Sequence, residues 1–397
     1  MMQANDLNTA IAAHREQFTG LSHHSYFNFG GQGPLSQAVL TAITNAYLHG
    51  EAIGPFSQAA NAWIQTVTEQ LRQDLAGVLG ADPTTITLTE NVTAGCNVPV
   101  WGLDWRAGDH VLLSDCEHPG VIAIIQEAQR RHQLEVSTCP LFATLNSGDP
   151  VRVIEQHLRP RTRLVVLSHI LWNTGQVLPL KAIAQACQSF NSERPIRILV
   201  DAAQSVGVLP LNLPELGIDY YAFTGHKWLG GPAGVGGLYI RPEAFTELKP
   251  TAIGWRGLVY DQGNPAGWKP DGRRFEVATS AYPLYAGLSA AIQVQREWGT
   301  DAERYQRLCN LSQQFWQKLQ AIPNVHCLKS EPPESGLVSF KLRQGEPADL
   351  VTTLEAQGFF VRLILQPRCI RACTHYLTSE AEVTRLAEAI SNYSGSS

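Results

Sequence analysis

A lysine set between polar and apolar neighbours carries the most chemical information in this chain. Lys227 follows Thr224-Gly225-His226, precedes Trp228-Leu229, and leads into a glycine tract, Gly230 to Gly237. The apolar run Tyr220 to Phe223 reads as a short buried strand that delivers the lysine into a permissive turn. Most lysines sit charged in solvent, whereas one flanked by apolar groups tends to lose its proton and become nucleophilic. Twenty-six residues upstream, a second buried-strand run starts at Arg197 and ends in Asp201, followed by Ala202-Ala203-Gln204. Alone, Asp201 reads as a helix N-cap. Beside such a lysine it reads differently: a Schiff-base amine plus a carboxylate that keeps a pyridine nitrogen protonated is the protein's share of pyridoxal phosphate chemistry.

The segments Asp201-Ala202-Ala203-Gln204 and Thr224-Gly225-His226-Lys227 resemble those of the fold-type I pyridoxal phosphate enzymes of aminotransferase class V, which include the cysteine desulfurases. Similarity runs over nearly the whole length, and within the group the chain is most like the cysteine/cystine C-S lyases. The resemblance implies an α/β fold, with a mostly parallel sheet in a large domain and a smaller α/β domain. It also implies a homodimer with shared active sites.

Site residues follow from the same resemblance. Lys227 would carry the cofactor, Asp201 would pair with its ring nitrogen, and Gln204, Thr224 and His226 would contact it. Thr93-Ala94-Gly95 fall in the phosphate cup, where a helix start would direct free amides and a hydroxyl at an anion, although a plain Thr N-cap reads as well from the residues alone. His118, after the strand His110 to Ser114, matches a histidine that stacks on the ring. Asn173, beyond the strand at 163–167, matches an asparagine near the phenolic oxygen and the substrate carboxylate. Thr279 matches a threonine that reaches the neighbouring subunit's phosphate, with Ala278 where the family usually has glycine. In the loop-rich stretch 251–283, Trp255 is taken as a substrate contact, with Trp268 and Tyr282 also available. The loop Gly30 to Pro34 matches a substrate-lining loop.

The desulfurase pattern breaks near the C-terminus. A desulfurase needs a thiolate on a loop ahead of a carboxylate-binding arginine. Arg371 takes the arginine's place, with Arg362 and Arg368 nearby, and the chain between Val361 and Arg371 is too short for that loop. Cys369 reads either as a displaced nucleophile or as a small buried thiol. Without the nucleophile, Lys227 could still remove the α-proton, and loss of a β-sulfur group would give pyruvate, ammonia and sulfide from cysteine or a persulfide from cystine. The expected function is therefore β-elimination on a sulfur amino acid. A sulfur acceptor protein and a link to iron-sulfur cluster assembly are further expectations. A desulfurase using Cys369, an aminotransferase or epimerase, and a non-catalytic binding protein that kept the fold stand as alternatives.

These residues need a large scaffold. The chain of 397 residues exceeds one ordinary core, and the expected division is an N-terminal segment 1–29, a large domain 30–283 and a small domain 284–397. Helices are predicted over residues 1–20 and 58–79, the latter ended by Gly80 and Pro83, and after Pro283, then a strand at 336–342 and a helix at 348–357. The glycine tract precedes a strand, not a helix, which excludes a dinucleotide fingerprint. Net charge is only −5 with no basic block, so neither nucleic acid nor an anionic membrane is indicated. There is no cationic, apolar leader and no run of about 18 apolar residues, and a cytoplasmic protein is expected. Eight cysteines without CxxC pairs read as free thiols, and no metal is expected at the Cys369, Cys373, His375 cluster.

Overall fold

The computed structural model describes residues 11–393. A seven-stranded sheet forms its centre, in the spatial order Ile86–Thr89, Gly236–Ile240, Tyr220–Thr224, Arg197–Asp201, Thr162–Ser168, His110–Ser114, Glu135–Cys139. Gly236–Ile240 runs antiparallel to both neighbours, and the other pairings are parallel. The inner strands are apolar runs because helices cover both faces, and every residue from His110–Ser114, Thr162–Ser168, Arg197–Asp201 and Tyr220–Thr224 is buried. Alternate residues feed two cores: Leu112, Val165, Val200 and Phe223 on one face, Val111, Val166, Leu199 and Ala222 on the other.

Strands that share a direction bring their carboxyl ends to one edge of the sheet. Ser168 lies in register with Asp201, and Asp201 with Ala222, two residues before the end of its strand at Thr224. The crevice outside such an edge is where open α/β sheets hold ligands. The helix predicted over 58–79 spans Gln58–Leu79, opened by a Ser57 side chain that accepts from Ala60 N and closed by Gly80 in the left-handed region. The helix Tyr282–Trp298 places Tyr285, Leu288 and Ile292 in the large core, so the expected boundary at 283/284 falls inside it.

The smaller sheet is antiparallel, in the order Val325–Cys327, Leu337–Leu342, Arg368–Cys373, Arg362–Leu365. The helices Asp301–Gln320 and Glu380–Ser391, each opened by a capping box, pack Phe315, Leu319, Val383 and Leu386 against Phe340 and Ile370. Residues 1–10 of the predicted first helix lie outside the described residues; 11–15 are helical, and a short 3-10 turn follows at Thr19–Leu21. Ser25–Tyr26 pairs in parallel with Phe359–Phe360, and Phe27 exchanges backbone bonds with Phe360 and Cys373. The N-terminal segment is thereby tied to the smaller sheet, and its glycine loop runs back over the lysine turn.

That crossing is close. The Gly33 amide donates to the His226 carbonyl at 2.8 Å, and a Cβ on Gly33 would run into the Lys227 carbonyl oxygen. Backbone cannot yield as a flexible side chain can, so Gly33→Ala is expected to lower stability by about 1–3 kcal/mol in urea unfolding. An unchanged midpoint would show that the loop and the turn are not in fixed contact.

Candidate active site

The crevice at the sheet edge is a cavity of about 680 Å³, the size of a small-ligand site, and Lys227, Asp201, His118, His226, Gln204, Thr93, Arg362 and Arg371 all line it. Lys227 projects from the turn after Tyr220–Thr224, a turn closed by Gly225 N to Val235 O at 2.9 Å and Gly230 N to Lys227 O at 3.0 Å. Its amine has no hydrogen-bond partner among the described residues. Burial lowers it to about 8; the Asp201 charge opposes the fall, and Arg371 and Arg362 add to it. The lysine is therefore partly neutral at ordinary pH.

Asp201 closes the strand Arg197–Asp201, with Oδ1 accepting from Ala203 N at 2.9 Å and Oδ2 left without a donor among the described residues. His118 caps the helix Pro119–His132: its Nδ1 accepts from Gly120 N at 3.1 Å, which in the neutral ring leaves the proton on Nε2. Burial pushes His118 down from its ordinary value. His226 Nδ1 bonds Thr224 Oγ1 at 2.6 Å, so Thr224 orients the histidine and does not itself line the cavity. Gln204 lines it with both ends engaged, Nε2 donating to Gly30 O at 2.9 Å and Oε1 accepting from Trp228 Nε1 at 2.8 Å.

Beside these lies an acid that the sequence reading passed over. Glu117, fully enclosed, accepts from Ser168 N at 3.1 Å and Ser168 Oγ at 2.9 Å, and also bonds Ser114 Oγ. Burial, and then the Asp201 charge, push it up to about 8, so at neutral pH it holds a proton. The signal was available as an acid wedged between a strand end and His118.

At the other end, the helix Val92–Gly102 begins two residues earlier than the Thr-cap reading placed it. Asn91 is the N-cap, and its side chain accepts from Ala94 N at 2.9 Å. Ala94 consequently has no free amide and faces a second cavity, whereas Val92 and Thr93 line the Lys227 cavity with amides that meet no acceptor among the described residues. Two open amides at a helix start suit an anion. Thr279 lies in the second cavity, with Arg256 and Glu276, and Trp255 is 54% exposed on the surface; neither reaches this chain's Lys227.

The three arginines separate. Arg368 points outward and pairs with Glu346 at 2.6 Å. Arg371 is buried, its Nη1 donating to Trp172 O at 2.7 Å and its Nε unpartnered, and Arg362 shares the cavity with it. Asn173 stands just behind the wall, Nδ2 donating to Gln366 O at 3.2 Å and Oδ1 buried without a partner. Asn28 and Trp172 also line the cavity. Cys369 does not: the hairpin Arg362–Leu365, Arg368–Cys373 turns on only Gln366 and Pro367, and packs the thiol under Leu145, Trp172, Leu328 and Ile364. It is 0% exposed, and burial raises it to about 12, which removes its thiolate. Seven of the eight cysteines are buried, Cys309 being the half-buried exception.

The arrangement can hold an anion at Val92–Thr93, a protonated ring nitrogen at Asp201, a carbonyl at Lys227 and carboxylates at two arginines. A family model described as aminotransferase class-V matches residues 26–390. The chain is similar to isopenicillin N epimerase of Streptomyces clavuligerus, with 31% identity over 93% of this chain and 94% of the relative. A solved structure of the cystine C-S lyase C-DES with its reaction product cysteine persulfide is 51% identical, with a TM-score of 0.93 over 96% of this chain and 100% of that one. A lysine-to-alanine mutant of C-DES carries glycine covalently linked to the PLP cofactor, with the same identity and a TM-score of 0.94 over 96% of this chain and 99% of that one. The cysteine desulfurase CsdA from Escherichia coli shares the fold at 22% identity, with a TM-score of 0.83 over 96% of this chain and 97% of the other.

A lowered lysine has a measurable consequence. In protein freed of bound aldehydes, condensation of Lys227 with pyridoxal should rise with pH about a midpoint near 8, because deprotonation on passing upward through that value frees the nucleophile. Lys227→Ala should abolish the absorbance change. A midpoint near the ordinary lysine value of about 10.4 would show the amine to be solvated.

Proposed function

The chain belongs to aminotransferase class V, and from that premise we propose that it is a pyridoxal phosphate-dependent C-S lyase that acts on L-cystine or L-cysteine. The observation that carries the choice over a desulfurase is the buried Cys369: the cavity lining contains Lys227 and Asp201 but no cysteine among the described residues.

The residues fit the cofactor. Lys227 would hold its aldehyde carbon, Asp201 Oδ2 its ring N-H, Val92 and Thr93 its phosphate, and His118 one ring face. Buried polar atoms without partners at Asn173 Oδ1, Trp172 Nε1 and Arg371 Nε surround the same site. Bound there, pyridoxal phosphate supplies an electron sink for the pair left when the α-proton departs. Lys227, with its amine free, would take that proton, and the β-carbon to sulfur bond would then break. Overall, cystine and one water give pyruvate, ammonia and cysteine persulfide. Arg371 has Nη2 left for the α-carboxylate, and Arg362 supplies a second guanidinium, which suits cystine with its two carboxylates.

The working unit we propose is a homodimer in the cytoplasm. Thr279 and Trp255, both away from their own chain's Lys227, would serve the partner's cavity, and exposed apolar side chains at Phe56, Leu48, Trp255, Tyr260 and Trp268 support such an interface. Among the described residues no helix is long and apolar enough to cross a membrane, and eight free cysteines suit a reducing compartment. The persulfide would pass its outer sulfur to an acceptor protein, iron-sulfur cluster assembly being one use.

Incubation with cystine is expected to yield pyruvate and cysteine persulfide without alanine, and Cys369→Ala should keep activity within about twofold, since burial leaves the thiol out of the chemistry. Alanine with a protein-bound persulfide that Cys369→Ala removes would establish a desulfurase instead, and D-cystine without pyruvate an epimerase. Arg362→Met should raise KM for cystine about tenfold or more while changing that for cysteine much less, because the lost charge-assisted bond serves the second carboxylate. Equal effects on both substrates would contradict that role.

A further inference from the structure

We infer that Trp228, the residue after the lysine, is a positioning residue that fixes Lys227 against both the Asp201 strand and the Arg371 strand. Its ring is fully buried, and its indole N-H donates to Gln204 Oε1 at 2.8 Å, while Gln204 Nε2 donates onward to Gly30 O at 2.9 Å. Its carbonyl accepts twice, from Gln295 Nε2 at 2.7 Å and from His375 Nε2 at 3.3 Å. Leu377 N donates to His375 Nδ1 at 3.4 Å, which assigns the imidazole proton to Nε2 and makes that nitrogen the donor. Phe29 stacks on His375 at 4.2 Å and 8°, and both rings stack on Trp228.

One side chain and its carbonyl thus join four segments. Gln204 lies three residues after Asp201, Gly30 opens the glycine loop of the cavity, Gln295 belongs to the helix Tyr282–Trp298, and His375 lies four residues after Arg371. The amine, the acid and the guanidinium come from three separate stretches of chain, and Trp228 is bonded to all three next to the reacting groups. A neutral His375, pushed down to about 3 by burial, keeps its single proton for the Trp228 carbonyl over the working pH range.

The test uses cofactor-loaded protein and begins without substrate, so that it reads the lysine whether or not the lyase reading holds. Trp228→Phe keeps a stacked ring and removes the N-H. The pH midpoint of the visible band of the Lys227-bound cofactor is expected to move by about half a unit or more, since the field around the lysine changes. With cystine, kcat should fall about tenfold while KM stays within about twofold, as a misplaced base predicts. A wild-type midpoint and kcat would reduce Trp228 to core filling and overturn the inference. If Trp228→Phe does not fold, His375→Phe, which keeps a flat ring against Phe29 without the donor, is judged by the same two readouts. His375→Gln, which restores an N-H, should return both toward wild type; failure of that rescue beside a defective His375→Phe would also count against the bonded role.

Discussion

An ammonium group loses its hydration when buried, and the site is built around that loss. Lys227 must shed its proton to react, yet it must stay beside an anion that favours keeping it. Burial wins, helped by two guanidinium groups, and Asp201 only moderates the result. The same enclosure pushes Glu117 up to about 8, so it holds a proton at neutral pH. The serine hydrogen bonds oppose that rise, and burial outweighs them.

Much of this was legible in the sequence, for a physical reason. Asp201, Lys227 and His118 stand at the ends of apolar runs, and parallel strands must bring such ends to one edge. What could not be read was orientation. Thr93 and Ala94 are adjacent, yet on a helix one faces the cavity and the other faces away, and the deciding fact was which residue capped the helix. Trp255 and Thr279 share a loop-rich stretch with no period from which to infer a face, and they lie outside their own chain's cavity. The choice among three arginines depended on hairpin register: Arg371 lies opposite Arg362, while Arg368 at the turn points outward. Glu117 was missed because a charged residue near a loop reads as solvated until the strands on either side are seen to enclose it.

The C-terminal hairpin shows how backbone length can select chemistry. A two-residue turn offers no slack, so Cys369 follows the strand's alternation into an apolar pocket beside Trp172, while Arg371, on the same side two residues later, reaches the cavity. A mobile nucleophile would need several more residues between those strands. Arg371, which lines the cavity, and Cys369, which does not, are placed by the same register.

The burial of the cysteines bears on how the proposed lyase would meet its own product. Persulfides exchange with thiolates, at rates that depend on the thiolate fraction and on access. Here Cys139, Cys187, Cys327 and Cys369 are all raised by burial to about 12, and Cys96, Cys116 and Cys309 are raised as well. A catalyst that releases reactive sulfur turnover after turnover would inactivate itself if its own side chains captured that sulfur. With these seven thiols raised toward the protonated form, the protein would be a poor acceptor for sulfane sulfur under the proposed lyase reading, and the product would be left to diffuse to something else.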